Sequence, residues 1–194
     1  MDKHARRTQL LELARHLFAK KGYHATNVED IVSAADVARG TFYLYFADKR
    51  AIFEELVSLS LVRIGTAIER VDVADPARSV ESQVLANIQR IVHALLEDPD
   101  TTKILLSAAV GVDEDFDRRL IGFYEEVGKL LEESLTDGQA LGIVASGDAR
   151  MLSILTLGAL KELLYQIVMR GLPYDANAVT AALYAFLKNG VLRV

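Results

Sequence analysis

The sequence has no cysteine among its 194 residues. Disulfide bonds and thiolate metal sites are therefore excluded, and this composition is compatible with a reducing cytosol. The first twenty residues carry several Lys and Arg side chains and lack the apolar core of a signal peptide. The longest apolar stretch, 152–160, ends at Lys161 and Glu162 and is too short to cross a bilayer. We therefore expect a cytoplasmic protein without a membrane partner.

Motifs for catalysis and cofactor binding are also missing. The glycines form neither a phosphate-binding loop nor a dinucleotide fingerprint, and no serine or histidine lies in a recognisable nucleophile motif. Asp113, Asp115 and Asp117 have the spacing of the first three ligands of a calcium loop, but Arg118 stands where such a loop needs glycine. We interpret these aspartates as acidic residues at a helix amino terminus. The prediction is a protein that is not an enzyme and has neither a metal nor a cofactor.

The net charge of −5 is unevenly distributed along the chain. Residues 1–50 carry a net charge of +3, and the remaining residues carry −8. A basic amino-terminal part on an acidic body suits the binding of phosphates, although an asymmetry of this size also arises by chance. With 51% hydrophobic and 25% charged residues, the chain is typical of a soluble globular protein.

Residues 26–49 predict two short helices joined by a tight turn, followed by the start of a longer helix. Thr26 and Glu29 have the spacing of a capping box, and apolar residues then recur at helical spacing. Asp36 tolerates the left-handed conformation that a sharp turn between helices requires. The second short helix turns a polar and basic face outward, formed by Arg39, Gly40, Thr41 and Tyr43. This pattern predicts a helix-turn-helix.

Capping signals and apolar periodicity predict about nine helices and no strand in the whole chain. The fourth helix is predicted to reach about Val71, and glycines at 138, 142 and 147 predict a loop over 136–147. The predicted helix caps after the helix-turn-helix are Asp48, Asp75, Asp98, Asp148 and Asp175.

A set of short motifs within residues 6–56 resembles the DNA-binding domain of the TetR family of bacterial transcriptional repressors. These motifs are Gly22-Tyr23, Thr26, Gly40-Thr41-Phe42-Tyr43 and Phe46-Ala47-Asp48-Lys49. The resemblance implies an all-α fold with a three-helix helix-turn-helix DNA-binding domain at 1–47. It also implies a larger helical effector-binding and dimerisation domain at 48–194.

Several side chains of this segment are suited to a double-stranded DNA operator. The helix that begins at Thr26 offers free N–H groups to a phosphate, and Tyr43 and Lys49 are predicted phosphate contacts. Arg39 and Thr41 are candidates for contacts with base edges. The predicted DNA-binding residues are Thr26, Arg39, Gly40, Thr41, Tyr43, Tyr45 and Lys49. The family usually has glycine at position 36, serine at 38 and a polar or aromatic residue at 44, so the operator sequence stays open.

The apolar residues between Met151 and Met169 cover more than one face of their helix, which must therefore be buried on more than one face. The helix is either the central core helix of a monomer or meets a second copy with one face. The resemblance favours a homodimer built through a four-helix arrangement. The predicted interface residues are Leu160, Leu163, Leu164, Ile167, Ala178, Ala182, Ala185 and Phe186.

The resemblance also implies a small-molecule effector that releases the repressor from a palindromic operator. The candidate pocket residues are His93, Phe116, Leu120, Phe123 and Tyr124, and their spacing suits a plain core as well. Such a lining favours an apolar or aromatic effector. The alternative function is a helical-bundle module that binds a small molecule or a protein without binding DNA.

Overall fold

The computed structural model describes residues 3–107 and 114–192, with side chains from residue 117 in the second range. The described residues form nine α-helices and a π-helical turn that continues the eighth helix over Tyr165–Met169. Within these ranges the only strand-like pairing is a single bridge between Val144 and Leu192. The predicted all-α class is confirmed. The helices are α1 (Lys3–Lys21), α2 (Val28–Ala35), α3 (Arg39–Tyr43), α4 (Lys49–Ala67), α5 (Val80–Leu96), α6 (Pro99–Leu106), α7 (Glu114–Ala140), α8 (Ala149–Leu164) and α9 (Ala176–Gly190).

Four helices begin at the aspartates that the sequence predicts as caps. The carboxylate of Asp48 accepts a hydrogen bond from the backbone N–H of Ala51, at 2.8 Å. Asp98, Asp148 and Asp175 each accept from the N–H three residues further along the chain. Each bond satisfies one of the N–H groups that the start of a helix leaves without an internal partner. These four helix starts are therefore confirmed.

The start of α5 differs from the prediction. The cap is Ser79, whose side chain accepts a hydrogen bond from the N–H of Ser82 at 3.1 Å. The predicted cap, Asp75, instead accepts from the N–H of Ala77 at 2.8 Å inside the connecting loop. An aspartate closes a local turn by the same kind of bond that caps a helix, so the residue type alone does not fix the helix start.

The predicted loop over 136–147 is wrong in its first part, because α7 continues to Ala140. Gly138 lies within this helix, where a Cβ atom would come within 2.6 Å of the Val144 side chain. Val144 is buried in the hydrophobic core beside α7. Glycine at this position therefore permits a close approach of the following loop instead of ending the helix.

The chain divides into two compact units. The first unit comprises Met1–Ser60 and Asp98–Gly122, and the second comprises Leu61–Glu97 and Phe123–Val194. This division differs from the predicted boundary between residues 47 and 48. The first turns of α4 belong with the helix-turn-helix because Phe53 packs its ring 5.1 Å from that of Tyr23.

The first unit also includes α6, which packs on α1. Arg15 of α1 pairs with Asp98, and the Nδ1 atom of His16 lies 3.0 Å from a carboxylate oxygen of Asp100. The first unit also contains a set of buried apolar residues. Its members include Leu10, Ala14, Phe18, Ile31, Phe42, Ile52, Phe53 and Ile104.

The core of the second unit joins α5 and α9 with the carboxyl-terminal part of α7. Its buried members are Ile88, Val92, Leu135, Val144, Val179, Leu183, Leu187, Val191 and Leu192. At the edge of this core, a carboxylate oxygen of Glu81 accepts hydrogen bonds from the Tyr184 hydroxyl at 2.5 Å and from Lys188 Nζ at 2.6 Å. These bonds connect α5 to α9 at the solvent-exposed edge of the core.

One helical stretch in the described ranges, Ala149–Met169, is long and apolar enough to cross a membrane. It extends beyond both ends of the apolar stretch recognised in the sequence. Within its most apolar 18-residue segment, only 11% of the residues are buried within the chain. Length and composition alone do not distinguish a membrane span from a helix that pairs with another protein surface.

Candidate DNA-binding surface

The first helix of the motif, α2, begins one residue later than the sequence predicts. Its cap is Asn27, whose side-chain oxygen accepts from the N–H of Asp30 at 2.9 Å. The Asp30 carboxylate accepts in return from the N–H of Asn27, also at 2.9 Å. The capping box therefore joins Asn27 and Asp30, and the predicted pair of Thr26 and Glu29 is wrong. Both pairs have the same spacing, so local sequence could not separate them.

Thr26 is a buried structural residue in this fold. Its hydroxyl donates to the carbonyl oxygens of Gly22, at 2.9 Å, and Leu17, at 3.3 Å. Its side chain has no exposed surface, and its N–H bonds to the carbonyl oxygen of Tyr23 at 3.3 Å. Thr26 therefore leaves the predicted set of DNA contacts, because neither its hydroxyl nor its N–H is available to a phosphate.

The turn between α2 and α3 has the geometry that Asp36 predicts. Asp36 has φ 52° and ψ 53°, which is the left-handed conformation. Ala38 precedes α3 without a side-chain hydrogen bond, as its methyl side chain requires. The helix that would enter a DNA groove therefore begins uncapped, and its position depends on packing of its apolar face.

That packing divides α3 into two faces. Phe42 has no exposed surface, and Phe46 lies beside it with the ring centroids 6.0 Å apart. Arg39, Gly40 and Tyr43 are exposed to solvent, and Tyr43 is 48% exposed. Thr41 and Tyr45 are half-buried at the edges of this face. The structure thus brings all the predicted contacts on and beside α3 to one surface.

Arg39 is held above Tyr43 on the exposed face of α3. A guanidinium nitrogen lies 3.4 Å from the Tyr43 hydroxyl oxygen, and the guanidinium carbon lies 5.9 Å from the ring centroid. A carboxylate oxygen of Glu29 lies 3.7 Å from the other terminal guanidinium nitrogen of Arg39. The Tyr43 hydroxyl, followed by the charge of Glu29, raises the pKa of Arg39. The guanidinium is thus oriented by two partners while it stays accessible.

Lys49, at the first position of α4, makes contacts that the sequence did not predict. Its Nζ atom donates to the carbonyl oxygens of Thr26 at 2.8 Å and Tyr23 at 2.9 Å, with that of His24 at 3.4 Å. The same atom lies 4.4 Å from the centroid of the Tyr23 ring. An ammonium group has three N–H donors, and three carbonyls surround this one. The predicted phosphate contact would require these bonds to break.

The candidate effector residues occupy different environments. Leu120 and Phe123 are buried, while His93 is partly exposed on α5. Burial raises the pKa of Tyr124 to about 12, and Lys161 Nζ lies 4.4 Å from its ring centroid. The side chain of Phe116 lies outside the described residues. Leu120 belongs to the first unit and the other three to the second, so the predicted pocket is not one cluster within a unit.

The predicted dimer-interface residues lie in different environments on α8 and on α9. Leu160, Leu163 and Ile167 pack against the core of their own chain, and Leu164 is buried. On α9, in contrast, the predicted residues lie at the surface, namely Ala178, Ala182, Ala185 and Phe186. The exposed apolar face of α8 and its π-helical extension consists of other residues, namely Met151, Ile154, Leu155, Tyr165 and Met169. Helical spacing from residue 151 groups these residues into two faces, but it does not say which face turns toward the core.

Comparison with known proteins identifies the helix-turn-helix. Residues 10–56 match the family model described as bacterial regulatory proteins, tetR family. This segment is therefore a helix-turn-helix of the TetR type. A fatty acid metabolism regulator protein from Bacillus subtilis (strain 168) is 28% identical over 190 residues, which is 94% of each chain. The transcriptional repressor KstR2 from Mycobacterium tuberculosis is 32% identical over 91 residues, or 46% of each chain.

Solved structures of similar fold superpose on nearly the whole chain. The fatty acid degradation regulator FadR from Bacillus halodurans superposes with a TM-score of 0.77 at 24% identity, covering 98% of both chains. A transcriptional regulator from Aquifex aeolicus VF5 gives a TM-score of 0.76 at 22% identity, covering 95% of this chain and 98% of that one. The predicted resemblance and the predicted fold are therefore confirmed.

Proposed function

We propose that this chain is a cytoplasmic, homodimeric repressor that binds an inverted-repeat operator and is released by an effector derived from a fatty acid. The observation that carries the DNA-binding part is the division of α3 into two faces. Phe42 anchors the helix in the core, whereas Arg39 and Tyr43 remain exposed on its outer side. A buried anchor beneath an exposed polar face gives a recognition helix a fixed register against a DNA groove.

The roles of the exposed side chains follow from their contacts. Arg39 can donate two hydrogen bonds to a guanine, and the Tyr43 hydroxyl near its guanidinium limits the directions in which it points. Tyr43 and Tyr45 are also suited to phosphate contacts, while Thr41 can reach a base edge. Gly40 leaves open space on the same surface, because a Cβ placed there meets nothing within 4 Å.

A second copy of the chain is the partner that we propose for the apolar face of α8 and α9. Met151, Ile154 and Leu155 are all more than half exposed, as is Phe186 on α9. Side chains of this size rarely remain in water on one continuous face. A two-fold dimer covers the same face on both copies at once, and its symmetry requires an operator with inverted half-sites.

The proposed effector class rests on the named relatives. The regulator from Bacillus subtilis, similar over 94% of the chain, is named for fatty acid metabolism, and FadR from Bacillus halodurans for fatty acid degradation. The second unit offers two buried polar atoms without a hydrogen-bond partner among the described residues, namely His93 Nε2 and Thr156 Oγ1. A buried polar atom of this kind favours a ligand that brings its own polar group. A fatty acid or its thioester has such a group beside a long apolar chain.

A short stretch of chain connects the proposed effector residue His93 to the unit that contains the helix-turn-helix. His93 lies one turn before Glu97, and the chain enters the first unit at Asp98. Asp98 caps α6 and pairs with Arg15 of α1. An effector that binds better to the conformation with low DNA affinity shifts the population towards it, by the difference between its two binding free energies.

The DNA-binding part is tested by selecting duplexes from a random pool and measuring their affinity by fluorescence anisotropy at several salt concentrations. We expect an inverted repeat and an affinity that falls as salt rises. Arg39→Ala should relax the preference at one base pair in each half-site, while Lys103→Ala serves as a charge-matched control on α6. Recovery of no sequence, or binding that salt leaves unchanged, would contradict the proposal and favour the module without DNA binding.

The effector part uses the same operator and a series of saturated fatty acids and their thioesters, each kept below its micellar concentration. We expect the longer chains to raise the apparent Kd for DNA, since each added methylene buries more apolar surface. An alcohol of equal length controls for the polar group. His93→Leu should weaken the response to the effector without changing DNA affinity in its absence. If no acid or thioester releases the operator, the proposed effector class is wrong.

A further inference from the structure

Leu44 is the most exposed large apolar side chain in the described part of the protein, at 73%. It follows α3 directly and keeps helical backbone angles, with φ −72° and ψ −18°. Its side chain therefore continues the pattern of the helix instead of turning with the next loop. A single exposed leucine is common on protein surfaces, so its position decides what it signifies.

That position is the outer face of α3. Leu44 stands four residues after Gly40, and residues four apart lie on the same side of a helix. Apart from its two chain neighbours and the backbone of its own helix, no atom lies within 4 Å of a Cβ built on Gly40, so the surface beside Leu44 is open. Arg39 and Tyr43 border the same region, and both are exposed. An apolar side chain thus lies among the polar side chains proposed to contact bases and phosphates.

We infer that Leu44 contacts the 5-methyl group of a thymine in each operator half-site and so contributes to sequence specificity. This inference rests on the proposed DNA binding. The thymine methyl is the apolar group that base pairs present in the major groove, and apolar side chains recognise it by contact. Leucine cannot donate or accept a hydrogen bond, so an exposed leucine on a recognition surface selects this methyl over polar base edges.

The test replaces thymine by deoxyuridine, one position at a time, in an operator selected with the wild-type protein. This change removes only the methyl group and preserves base pairing and charge. We expect one thymine in each half-site at which the replacement raises Kd about fourfold, the effect of one methylene-sized group leaving an apolar contact. The symmetric replacement of both should raise Kd about fifteenfold.

Protein variants show which residue makes the affinity depend on the thymine methyl group. Leu44→Ala should bind the thymine and deoxyuridine operators with equal Kd, whereas Leu44→Met should retain the discrimination because it keeps an apolar contact. Leu59→Ala is the matched control, since Leu59 is also exposed and lies on a different helix, α4. Because Leu44 is exposed, all variants should unfold at the wild-type temperature.

Three results would overturn the assignment. The wild-type protein could bind every deoxyuridine operator as tightly as the parent, or Leu44→Ala could keep the discrimination. Thr41→Ser could abolish it instead, which would assign the contact to the Thr41 methyl. If the random pool yields no operator at all, the proposed DNA binding itself has failed, and this outcome is distinct from a selected operator without methyl sensitivity.

Discussion

The ammonium nitrogen of Lys49 lies 2.8 Å from the carbonyl oxygen of Thr26, the last residue before the cap of α2. This bond ties the start of α4 to the turn between α1 and α2. The neighbouring carbonyl of Tyr23 accepts from the same atom at 2.9 Å. A cation that bridges carbonyls of one turn fixes the direction in which α2 leaves it, and hence the placement of the helix-turn-helix.

We therefore expect Lys49→Met to lower the stability of the protein by about 1–3 kcal/mol, because it removes one donor from each of these partly buried carbonyls. Chemical denaturation measures this change. The salt dependence of DNA binding distinguishes the two roles of Lys49. A positioning role leaves the slope unchanged, whereas a phosphate contact would reduce it by about one per contact, or two in a dimer. Lys103→Met on α6 is the matched control.

The capping box predicts that Asn27→Ala destabilises the protein by about 1 kcal/mol. The substitution removes the acceptor of the Asp30 N–H bond, which is 2.9 Å long. Asn27→Asp retains an oxygen at the same place and should remain close to wild type. Thermal unfolding compares the variants. Equal stability of Asn27→Ala and wild type would show that this hydrogen bond does not contribute to the stability of the fold.

Acid stability should depend on Asp30. The ammonium of Lys21, at 2.8 Å, followed by the Asn27 N–H, holds the pKa of this carboxylate below its usual range. A carboxylate with a lowered pKa stabilises the fold above its unfolded pKa of roughly 4 and loses that contribution as pH falls below it. Asp30→Asn should therefore be less stable than wild type at pH 7, with the difference shrinking below roughly pH 4. Urea titrations across this pH range measure the two curves, and parallel curves would contradict the prediction.

The revised interface predicts that Ile154→Glu yields a folded monomer, because it places a charge on the exposed apolar face of α8. Val73→Glu is the matched control, since Val73 is half exposed in the connection between α4 and α5. Light scattering at micromolar concentration gives the mass. Leu163→Glu should instead unfold the chain, because Leu163 packs against the core of its own subunit. A wild-type protein that is monomeric at this concentration would remove the dimer from the proposal.

Much of the fold could be predicted from short-range signals in the sequence. The caps at Asp48, Asp98, Asp148 and Asp175 depend only on bonds to residues three positions away, so the local sequence contains both partners. The left-handed turn at Asp36 is local for the same reason. The motif spacing from Gly22 to Lys49 predicted the TetR-type helix-turn-helix, because these residues lie close together in the sequence.

Where the local spacing of residues allows two equivalent arrangements, tertiary packing selects one of them. Thr26 and Asn27 both stand three residues before an acidic side chain, and burial of Thr26 beneath the turn leaves the cap to Asn27. Lys49 acquires its carbonyl partners only when α4 returns to a turn 23 residues earlier. On α8, the apolar pattern fits two faces equally well. The core formed with α5 and α9 then selects Leu160 and Leu163 for the interior and leaves Ile154 and Leu155 in solvent, because a helix can turn only one of its faces toward a given core.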